Sequence, residues 1–473
     1  MQISKPTLLW YDLETFGLNT RYDRIAQFAA QRTDMELNPI GDSIVLYGKV
    51  SDDYLPDPLA CLLTGITPSD TEKGLCEYEL IQRINKEFSV ANTTVCGFNN
   101  INFDDEMIRS ALYRNFFDPY EREWKNGCSR WDIIDLVRAA HDLRPEGILW
   151  PPKNPENGNP VFRLTELTKA NNIEQKGAHD AMVDVNATIA IARLLKNKQP
   201  KLYDYYFKLR KKEAVKQVVR TPFGEPVLYT ASRFTNPNGC SAMIVPLTPA
   251  KDMSNSFLCF DLSKDPTSLF TATSEQIKAT DGLFLLATNR CPFVTAISPV
   301  FPDEGMLTKL GINKTSCMAR YNLIKEQNSL ILTLREISSK EDYKDVDDTD
   351  FEIYSGGFFS DFDKNQFILI HQAQPGERLS LNIKFQDKRV FEMLFRHIGR
   401  NYPEVLTEEQ QRQWKSFCAN RILNPPGNIM INWDFFNRKI MERMESNETE
   451  PKQKLILSKL KDYKDKLALR IFS

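Results

Sequence analysis

Two acidic side chains near the start of the chain are the first candidates for chemistry. Asp12 and Glu14 stand two residues apart at the end of an apolar run, Thr7 to Leu13. If this run is a strand buried on both faces, the alternation of side chains directs both carboxylates to one side of the sheet. The carboxylates would repel each other there unless a positive group lay between them, and a divalent cation is the usual one. The alternative is a strand that simply emerges into solvent, because so short a motif often occurs by chance.

A second acidic candidate, Asp104, lies in the segment Asn99-Asn-Ile-Asn-Phe103-Asp104-Asp105-Glu106. The pattern predicts that a strand ends here and a helix begins. Acids are favoured at a helix N-terminus by capping and by the helix dipole, so a structural role alone would explain all three acids. The spacing does not distinguish Asp104 from Asp105 as the functional residue.

Asp184 is more informative because it stands on an apolar stripe of a predicted helix. On a helical wheel it shares this stripe with Ala187, Ile191 and Leu195. An acid on a core-facing stripe needs a partner, and a metal ion shared with the first two carboxylates would supply one.

His179 lies just before this helix, for which we predict Asp180 as the N-cap. It is one of four histidines, and the ordinary histidine pKa of about 6.5 suits acid–base chemistry. A histidine in a loop is more often structural or solvent-facing, so the sequence leaves both roles open.

The segments around these residues alternate between strand-like and helix-like patterns, which predicts an α/β domain over residues 1–200. The predicted strands are Thr7 to Leu13, Ala26 to Thr33, Ser43 to Val50 and Thr93 to Phe98. The predicted helices are Tyr78 to Phe88, Asp105 to Phe116 and Asp180 to Lys196. The proline-rich stretch from Trp150 to Pro160 predicts an irregular loop.

Beyond residue 200 the pattern changes twice. Residues 201–354 contain short β-rich runs, which predict a partly β domain: Val227 to Ala231, Ala242 to Leu247 and Phe257 to Leu262. The segment from Glu336 to Glu352 holds eight acids and two lysines, so we expect an exposed linker or loop. Residues 355–473 have helical periodicity and predict a helical third domain. Its predicted helical stretches are Lys388 to Tyr402, Glu408 to Leu423 and Phe435 to Ser473.

The composition of the 473 residues is that of a soluble globular protein, with 41% hydrophobic and 26% charged residues. No run approaches the roughly 20 apolar residues of a membrane-spanning helix, and the N-terminus lacks the pattern of a secretory signal, so we expect a cytoplasmic protein. The nine cysteines are scattered and predict reduced core residues rather than disulfides or a zinc site. The net charge of −2 argues against bulk electrostatic binding of nucleic acid.

A local basic stretch nevertheless runs from Lys196 to Arg220, with nine Lys or Arg against two acids. Four aromatic residues are interleaved with these charges: Tyr203, Tyr205, Tyr206 and Phe207. The stretch is either a solvated helix face at a domain boundary or the beginning of a surface that binds a nucleic-acid strand.

Three motifs occur in a recognisable order: Asp12-Leu-Glu14-Thr-Phe-Gly17, Asn99-Asn-Ile-Asn-Phe-Asp104 and His179-Asp-Ala-Met-Val-Asp184. Together they resemble the DEDDh 3′-to-5′ exonucleases, a ribonuclease-H-like family. Over its whole length the chain also resembles bacterial members of that family that are specific for single-stranded DNA. Runs that carry this resemblance include Trp131-Asp-Ile-Ile-Asp135, Leu143-Arg-Pro-Glu-Gly147 and Gly357-Phe-Phe-Ser-Asp361.

The resemblance implies a fold and a chemistry. The fold would be an α/β ribonuclease-H-like exonuclease domain, then an SH3-like domain and a helical C-terminal domain closing over a DNA channel. Two divalent metal ions would be held by Asp12, Glu14, Asp104 and Asp184, with His179 as the general base. Ligation by oxygen alone indicates Mg²⁺, with Mn²⁺ as a substitute. Such ions would stabilise the negative charge of the phosphodiester transition state.

Substrate contacts are expected from several further residues. Glu14 would contact substrate as well as metal, and Phe16 would stack on the terminal base, unless it is a core aromatic. The remaining contacts, implied by the resemblance, are Arg109, Tyr120, Trp124, Arg138 and Arg163.

The resulting hypothesis is a monomeric, Mg²⁺-dependent enzyme that degrades single-stranded DNA from the 3′ end to 5′-mononucleotides in DNA repair and recombination. The resemblance also implies a partner, single-stranded DNA-binding protein. Its acidic tail needs a basic surface, for which Arg144 and the stretch from Lys196 to Arg220 are candidates.

Two alternatives remain open. A DEDDh ribonuclease that trims RNA 3′ ends would use the same metal site, since a contact with the 2′-hydroxyl is not visible in sequence. A catalytically inactive nucleic-acid-binding scaffold is the other. The intact set of acids argues against it, because a binding protein gains nothing from negative charge where phosphates must lie.

Overall fold

The computed structural model describes residues 5–174, 180–220, 224–271, 277, 280–298, 301–336, 348–427, 430–446 and 448–473. Its N-terminal part is built on a five-stranded mixed sheet of order β3-β2-β1-β4-β5. The strands are β1 (Thr7–Thr15), β2 (Ile25–Thr33), β3 (Ile44–Tyr47), β4 (Thr93–Gly97) and β5 (Ser129–Asp132). Strand β1 pairs antiparallel with β2 and parallel with β4. Leu8, Leu9 and Trp10 are fully buried, so β1 is covered on both faces, as predicted.

Helices accompany this sheet within the first 220 residues. They are α1 (Pro58–Thr64), α2 (Glu77–Phe88), α3 (Asp104–Arg114), α4 (Ile134–Leu143), α5 (Leu164–Ala170), α6 (Ala181–Lys198), α7 (Pro200–Leu209) and α8 (Lys212–Val218). Helix α6 packs on β1 and β2. Helix α3 begins at Asp104, one residue earlier than predicted, and α6 begins directly after its predicted N-cap Asp180. Residues 150–160 form neither helix nor strand, in agreement with their proline content.

A second five-stranded sheet, antiparallel throughout, follows in the order β10-β6-β7-β8-β9. Its strands are β6 (Val227–Thr230), β7 (Ser241–Pro249), β8 (Ser256–Asp261), β9 (Leu283–Ala287) and β10 (Phe293–Ala296). The three β-rich runs predicted from the sequence correspond to β6, β7 and β8. Pro246 lies inside β7, where the register with β8 shifts between Pro246 and Thr248; such an irregularity accommodates a proline within a sheet. The helices of this part are α9 (Thr267–Thr271), α10 (Glu304–Lys309), α11 (Lys314–Lys325) and α12 (Asn328–Glu336).

The C-terminal part is helical, as expected. Its helices are α13 (Asp361–Gln372), α14 (Arg389–Asn401), α15 (Glu408–Leu423), α16 (Trp433–Glu445) and α17 (Pro451–Ile471). The start of α15 is fixed by a capping box between Thr407 and Gln410. The predicted helical stretch from Phe435 to Ser473 is divided in two, because Pro451 cannot continue a helix but suits the first position of a new one.

The predicted exposed linker from Glu336 to Glu352 is wrong at its C-terminal end. Asp348 is 8% exposed and Asp350 is 2% exposed. Their charges are balanced by ion pairs with Arg396, Arg400 and Arg421. Arg400 and Arg421 also bind Asp53 of the first part. This end of the acidic run therefore belongs to a buried ionic network that joins the helical part to the N-terminal part of the chain. Residues 337–347 lie outside the described residues.

The aromatic residues of the basic stretch pack in the core. Tyr203 and Tyr206 of α7 contact the buried Trp131 of β5 at ring-centroid distances of 5.1 and 5.8 Å. The Tyr206 hydroxyl donates hydrogen bonds to the backbone oxygens of Asp132 and Cys291. These rings connect the two sheets and are not free to stack on a nucleic acid, so the stretch is better explained as a helix face at a boundary.

Eight of the nine cysteines are buried, as expected for reduced core residues. Among the described helices, none combines the length and the apolar character that crossing a bilayer requires.

Candidate active site

Three of the predicted carboxylates meet at the C-terminal end of β1. One carboxylate oxygen from each of Asp12, Glu14 and Asp184 lies within 4.8 Å of the other two; we call these residues the carboxylate cluster. Asp12 and Glu14 share a face through strand alternation, and Asp184 comes from the first turn of α6. The start of α6 is fixed by Asp180, which accepts a hydrogen bond from the Met182 amide at 3.0 Å. Three of the four acids predicted from the sequence therefore lie together.

The cluster is electrostatically unfavourable by itself. Burial, followed by the nearby charges of Asp104, Asp184 and Glu14, raises the pKa of Asp12 well above its usual range. Burial, Asp184 and Asp180 raise the pKa of Glu14 to about 7. Carboxylates that raise each other's pKa in this way are relieved by a cation, and hard divalent ions prefer oxygen ligands. The donor set thus fits a divalent metal ion.

The structure shows that Asp104 and Asp105 have different environments, which the sequence spacing could not distinguish. Asp105 is fully buried. Its carboxylate accepts hydrogen bonds from the Tyr11 hydroxyl at 2.7 Å, from Arg122 at 2.9 Å and from Arg130 at 3.0 Å. Although burial opposes ionisation, these guanidinium groups hold the pKa of Asp105 below its usual range. The charge of Asp105 is therefore neutralised by Arg122 and Arg130, and its role is structural.

Asp104 has the opposite environment. Burial and the charge of Asp105 raise the pKa of Asp104 well above its usual range, and Asp132 and Glu14 contribute in the same direction. Asp104 in turn raises the pKa of Asp12. It is not one of the three residues whose oxygens lie within 4.8 Å of one another, but its charge acts on the same cluster. His179, the predicted general base, lies outside the described residues.

Three of the expected substrate contacts are accessible. Trp124 is 65% exposed, and Arg163 is exposed at the N-terminus of α5. Tyr120 is partly buried, and the edge of its ring faces Phe358, which is 81% exposed. Phe358 was not selected from the sequence, although it lies in one of the runs that carried the resemblance.

The structure argues against two other expected contacts. Phe16 is 1% exposed and packs in a core with Tyr54 and with the C-terminal helices, which favours its alternative role as a core aromatic. Arg109 is 7% exposed, and its guanidinium donates to Glu123 through two nitrogens and to Glu106 through the third. Its charge is thus already neutralised within the protein, and it stabilises the segment that carries Tyr120.

Arg138 is an intermediate case. It is partly buried and donates a 2.6 Å hydrogen bond to Asp135. Asp132 was not selected from the sequence as a site residue. It is buried, its charge acts on Asp104, and burial raises its pKa to about 7. The signal available in the sequence was the acid in the run Trp131-Asp-Ile-Ile-Asp135.

Comparison with known families matches three consecutive segments of the chain. Residues 9–192 match a family model described as "Exonuclease", residues 210–339 match "Exonuclease I SH3-like domain", and residues 347–467 match "Exonuclease I C-terminal domain". The mixed sheet with its acidic metal site is thus the exonuclease domain of a metal-dependent 3′-to-5′ exonuclease. The second sheet and the helical part are its SH3-like and C-terminal domains.

Relatives extend this similarity to most of the chain. Exodeoxyribonuclease I of Haemophilus influenzae is 39% identical over 430 residues, which cover 87% of this chain and 90% of that protein. A crystal structure of E. coli exonuclease I in complex with a dA16 oligonucleotide superposes with a TM-score of 0.91 at 34% identity, over 98% of this chain and 100% of that one. A structure of SSB/exonuclease I in complex with an inhibitor gives a TM-score of 0.89 at 34% identity, over 98% and 100%. The chain belongs to the exodeoxyribonuclease I family.

The fold class and the enzyme class expected from the sequence are therefore confirmed. The roles of individual site residues and the domain boundaries at 200 and 354 remain predictions.

Proposed function

We propose that this chain degrades single-stranded DNA from the 3′ end, releases 5′-mononucleotides and serves DNA repair and recombination. The observation that carries the proposal is the carboxylate cluster, placed in a chain that matches exonuclease families along its length. Further support comes from the similar E. coli exonuclease I, which binds a dA16 oligonucleotide.

In this proposal the cluster and Asp104 would hold two Mg²⁺ ions, for which Mn²⁺ could substitute. When bound, the ions supply positive charge that stabilises both ends of an in-line displacement at phosphorus. His179 would accept the proton of the attacking water. Asp180 and the first turn of α6 fix Asp184, while strand β1 fixes Asp12 and Glu14, so the acids need little rearrangement to bind the ions.

The single strand would reach the site across the aromatic surface of Tyr120, Trp124 and Phe358. Aromatic rings stack on any base and so suit an enzyme without sequence preference, and bases are available for stacking only in unpaired strands. Trp124 and Phe358 are the strongly exposed members of this surface. Arg163 would add a contact to phosphate.

We also propose that the chain binds the acidic tail of single-stranded DNA-binding protein, as the SSB/exonuclease I structure suggests for that similar protein. Arg144 remains a candidate for this contact: it is partly buried and its guanidinium lies 4.6 Å from the centre of the Phe301 ring. A basic group of this kind suits an acidic peptide.

The proposed function is tested with 5′-labelled single-stranded DNA, duplex DNA and RNA of one sequence, each digested with Mg²⁺ and with EDTA. We expect a ladder that shortens from the 3′ end only for single-stranded DNA with Mg²⁺. Preferential digestion of RNA would favour the ribonuclease alternative. Binding of the single strand without any cleavage would favour the scaffold alternative.

A further inference from the structure

The carboxylate of Asp132 binds backbone amides of the segment that leads into Asp104. Asp132 is the last residue of β5 and is 4% exposed. Its Oδ1 accepts hydrogen bonds from the backbone amides of Asn99 at 2.8 Å and Ile134 at 3.0 Å, and its Oδ2 accepts one from the Ile101 amide at 3.2 Å. Two of these three donors belong to the segment between β4 and α3.

That segment, residues 98–103, which we call the β4–α3 turn, leads directly into Asp104, the first residue of α3. It is tightly folded: Asn99 has a left-handed backbone with φ of 63°. A Cβ atom at Gly97 would lie 2.7 Å from the Cβ of Asn100, so the turn closes over the end of β4 where only glycine fits. A turn of this shape needs its buried amides satisfied, since a buried amide without a hydrogen-bond partner is destabilising.

Other groups that hold the turn contribute less. Arg290 donates to the Asn102 side chain at 2.9 Å, but its own side chain is 44% exposed. Solvent competes with an exposed bond of this kind. Among the described residues, Asp132 is the buried carboxylate that joins the end of one strand to the turn that carries Asp104.

We propose that Asp132 is a positioning residue for metal binding, which acts by fixing the β4–α3 turn and thereby the direction of the Asp104 carboxylate. Asp132 does not act as a ligand, because both of its oxygens are turned to backbone amides. The inference rests on the proposed function, since it takes Asp104 to be a metal ligand. Residues that orient a metal ligand typically change metal affinity or activity by about 10- to 100-fold when replaced.

The test uses the full chain with Asp132→Asn. The amide keeps an oxygen for the Asn99 and Ile134 amides but presents an NH₂ group to the Ile101 amide, so one bond is lost while two remain. The matched control is Asp363→Asn. Asp363 is 1% exposed and also accepts two backbone bonds, from Gln386 at 2.8 Å and Asp387 at 3.2 Å, in the C-terminal part of the chain.

Three quantities are measured for each protein: Mn²⁺ affinity by titration calorimetry, kcat and KM on a single strand, and hydrogen exchange of peptides covering residues 98–104. For Asp132→Asn we expect Mn²⁺ affinity and kcat to fall about 10- to 100-fold, KM for DNA to stay unchanged, and exchange in residues 98–104 to become faster. For Asp363→Asn we expect all three to match the wild type.

Several results would overturn the proposal. One is Mn²⁺ affinity and kcat in Asp132→Asn equal to those of Asp363→Asn. Another, which needs only the wild type, is rapid exchange of the Asn99 and Ile101 amides. Failure of the proposed function gives a different result, because the wild type itself would then neither bind Mn²⁺ nor cleave single-stranded DNA.

Discussion

Neighbouring acids at the start of α3 should respond to substitution in opposite ways. The change is from aspartate to asparagine at Asp104 or at Asp105, which removes one negative charge and keeps the size of the side chain. We expect Asp105→Asn to destabilise the fold and leave folded molecules active. We expect Asp104→Asn to stop cleavage and leave the fold at least as stable as the wild type.

The magnitudes follow from the contacts. Asp105 forms ion pairs with two buried guanidinium groups, those of Arg122 and Arg130. It also accepts a hydrogen bond from the Tyr11 hydroxyl. Removing one partner of a buried pair costs about 3 to 5 kcal/mol, because the remaining charge loses its compensation. Glu123 lies 3.3 Å from Arg130 and 3.9 Å from Arg122, so we expect a loss at the lower end of this range. Asp104 has a raised pKa in the folded protein, so near neutral pH its ionisation favours unfolding, and the neutral amide removes that cost.

The assay is urea unfolding at pH 7 in EDTA, so that metal binding does not contribute, together with cleavage of a 5′-labelled single strand in Mg²⁺ at a temperature where each variant is folded. Asp105→Asn as stable as the wild type would contradict the structural role of Asp105. Asp104→Asn that loses several kcal/mol in EDTA, or that cleaves at the wild-type rate, would contradict the role of Asp104 in metal binding.

Three further predictions concern the DNA surface, the general base and acid stability. Trp124→Ala should weaken binding of a dT oligomer in EDTA about 5- to 150-fold, the loss of one stacked base, without changing the urea midpoint; unchanged anisotropy titrations would remove Trp124 from the DNA path. His179→Ala should lower kcat about 10²- to 10⁴-fold, with partial recovery as the pH rises, whereas a pH–rate profile parallel to the wild type and scarcely lower would indicate a structural role. Burial lowers the pKa of His371 from 6.5 to about 4, so the unfolded chain takes up the proton first and stability falls as the pH drops from about 6.5 to 4, by about 3 kcal/mol for this residue. Urea unfolding between pH 7 and 4.5 should show a weaker pH dependence in His371→Gln than in the wild type; equal slopes would contradict this assignment.

The carboxylate cluster could be predicted because each member has a signal in its own segment. Strand alternation places Asp12 and Glu14 on one face, and the helical stripe places Asp184 toward the core. The start of α15 was similarly visible, because the capping box between Thr407 and Gln410 is local in sequence.

Some residue roles could not be predicted from the sequence, because they depend on partners that are distant along the chain. Asp105 is distinguished from Asp104 by Arg122 and Arg130, and nothing near the helix start indicates those contacts. Arg109 is a residue type typical of DNA contacts. Its charge is neutralised by Glu123, which belongs to a different segment of the chain. The sequence placed Asp350 in an exposed linker or loop. In the structure Asp350 is buried and forms an ion pair with Arg400, fifty positions later.

Titration of Mn²⁺ into the full chain and into Asp184→Asn, followed by calorimetry, shows whether these acids form the metal site that hydrolysis needs. Asp184 belongs to the carboxylate cluster and comes from a different element than Asp12 and Glu14. We expect about two ions to bind to the wild type, and we expect loss or strong weakening of that binding in Asp184→Asn together with loss of cleavage. Absence of Mn²⁺ binding by the wild type, or unchanged binding and cleavage in Asp184→Asn, would show that these acids are not the metal site.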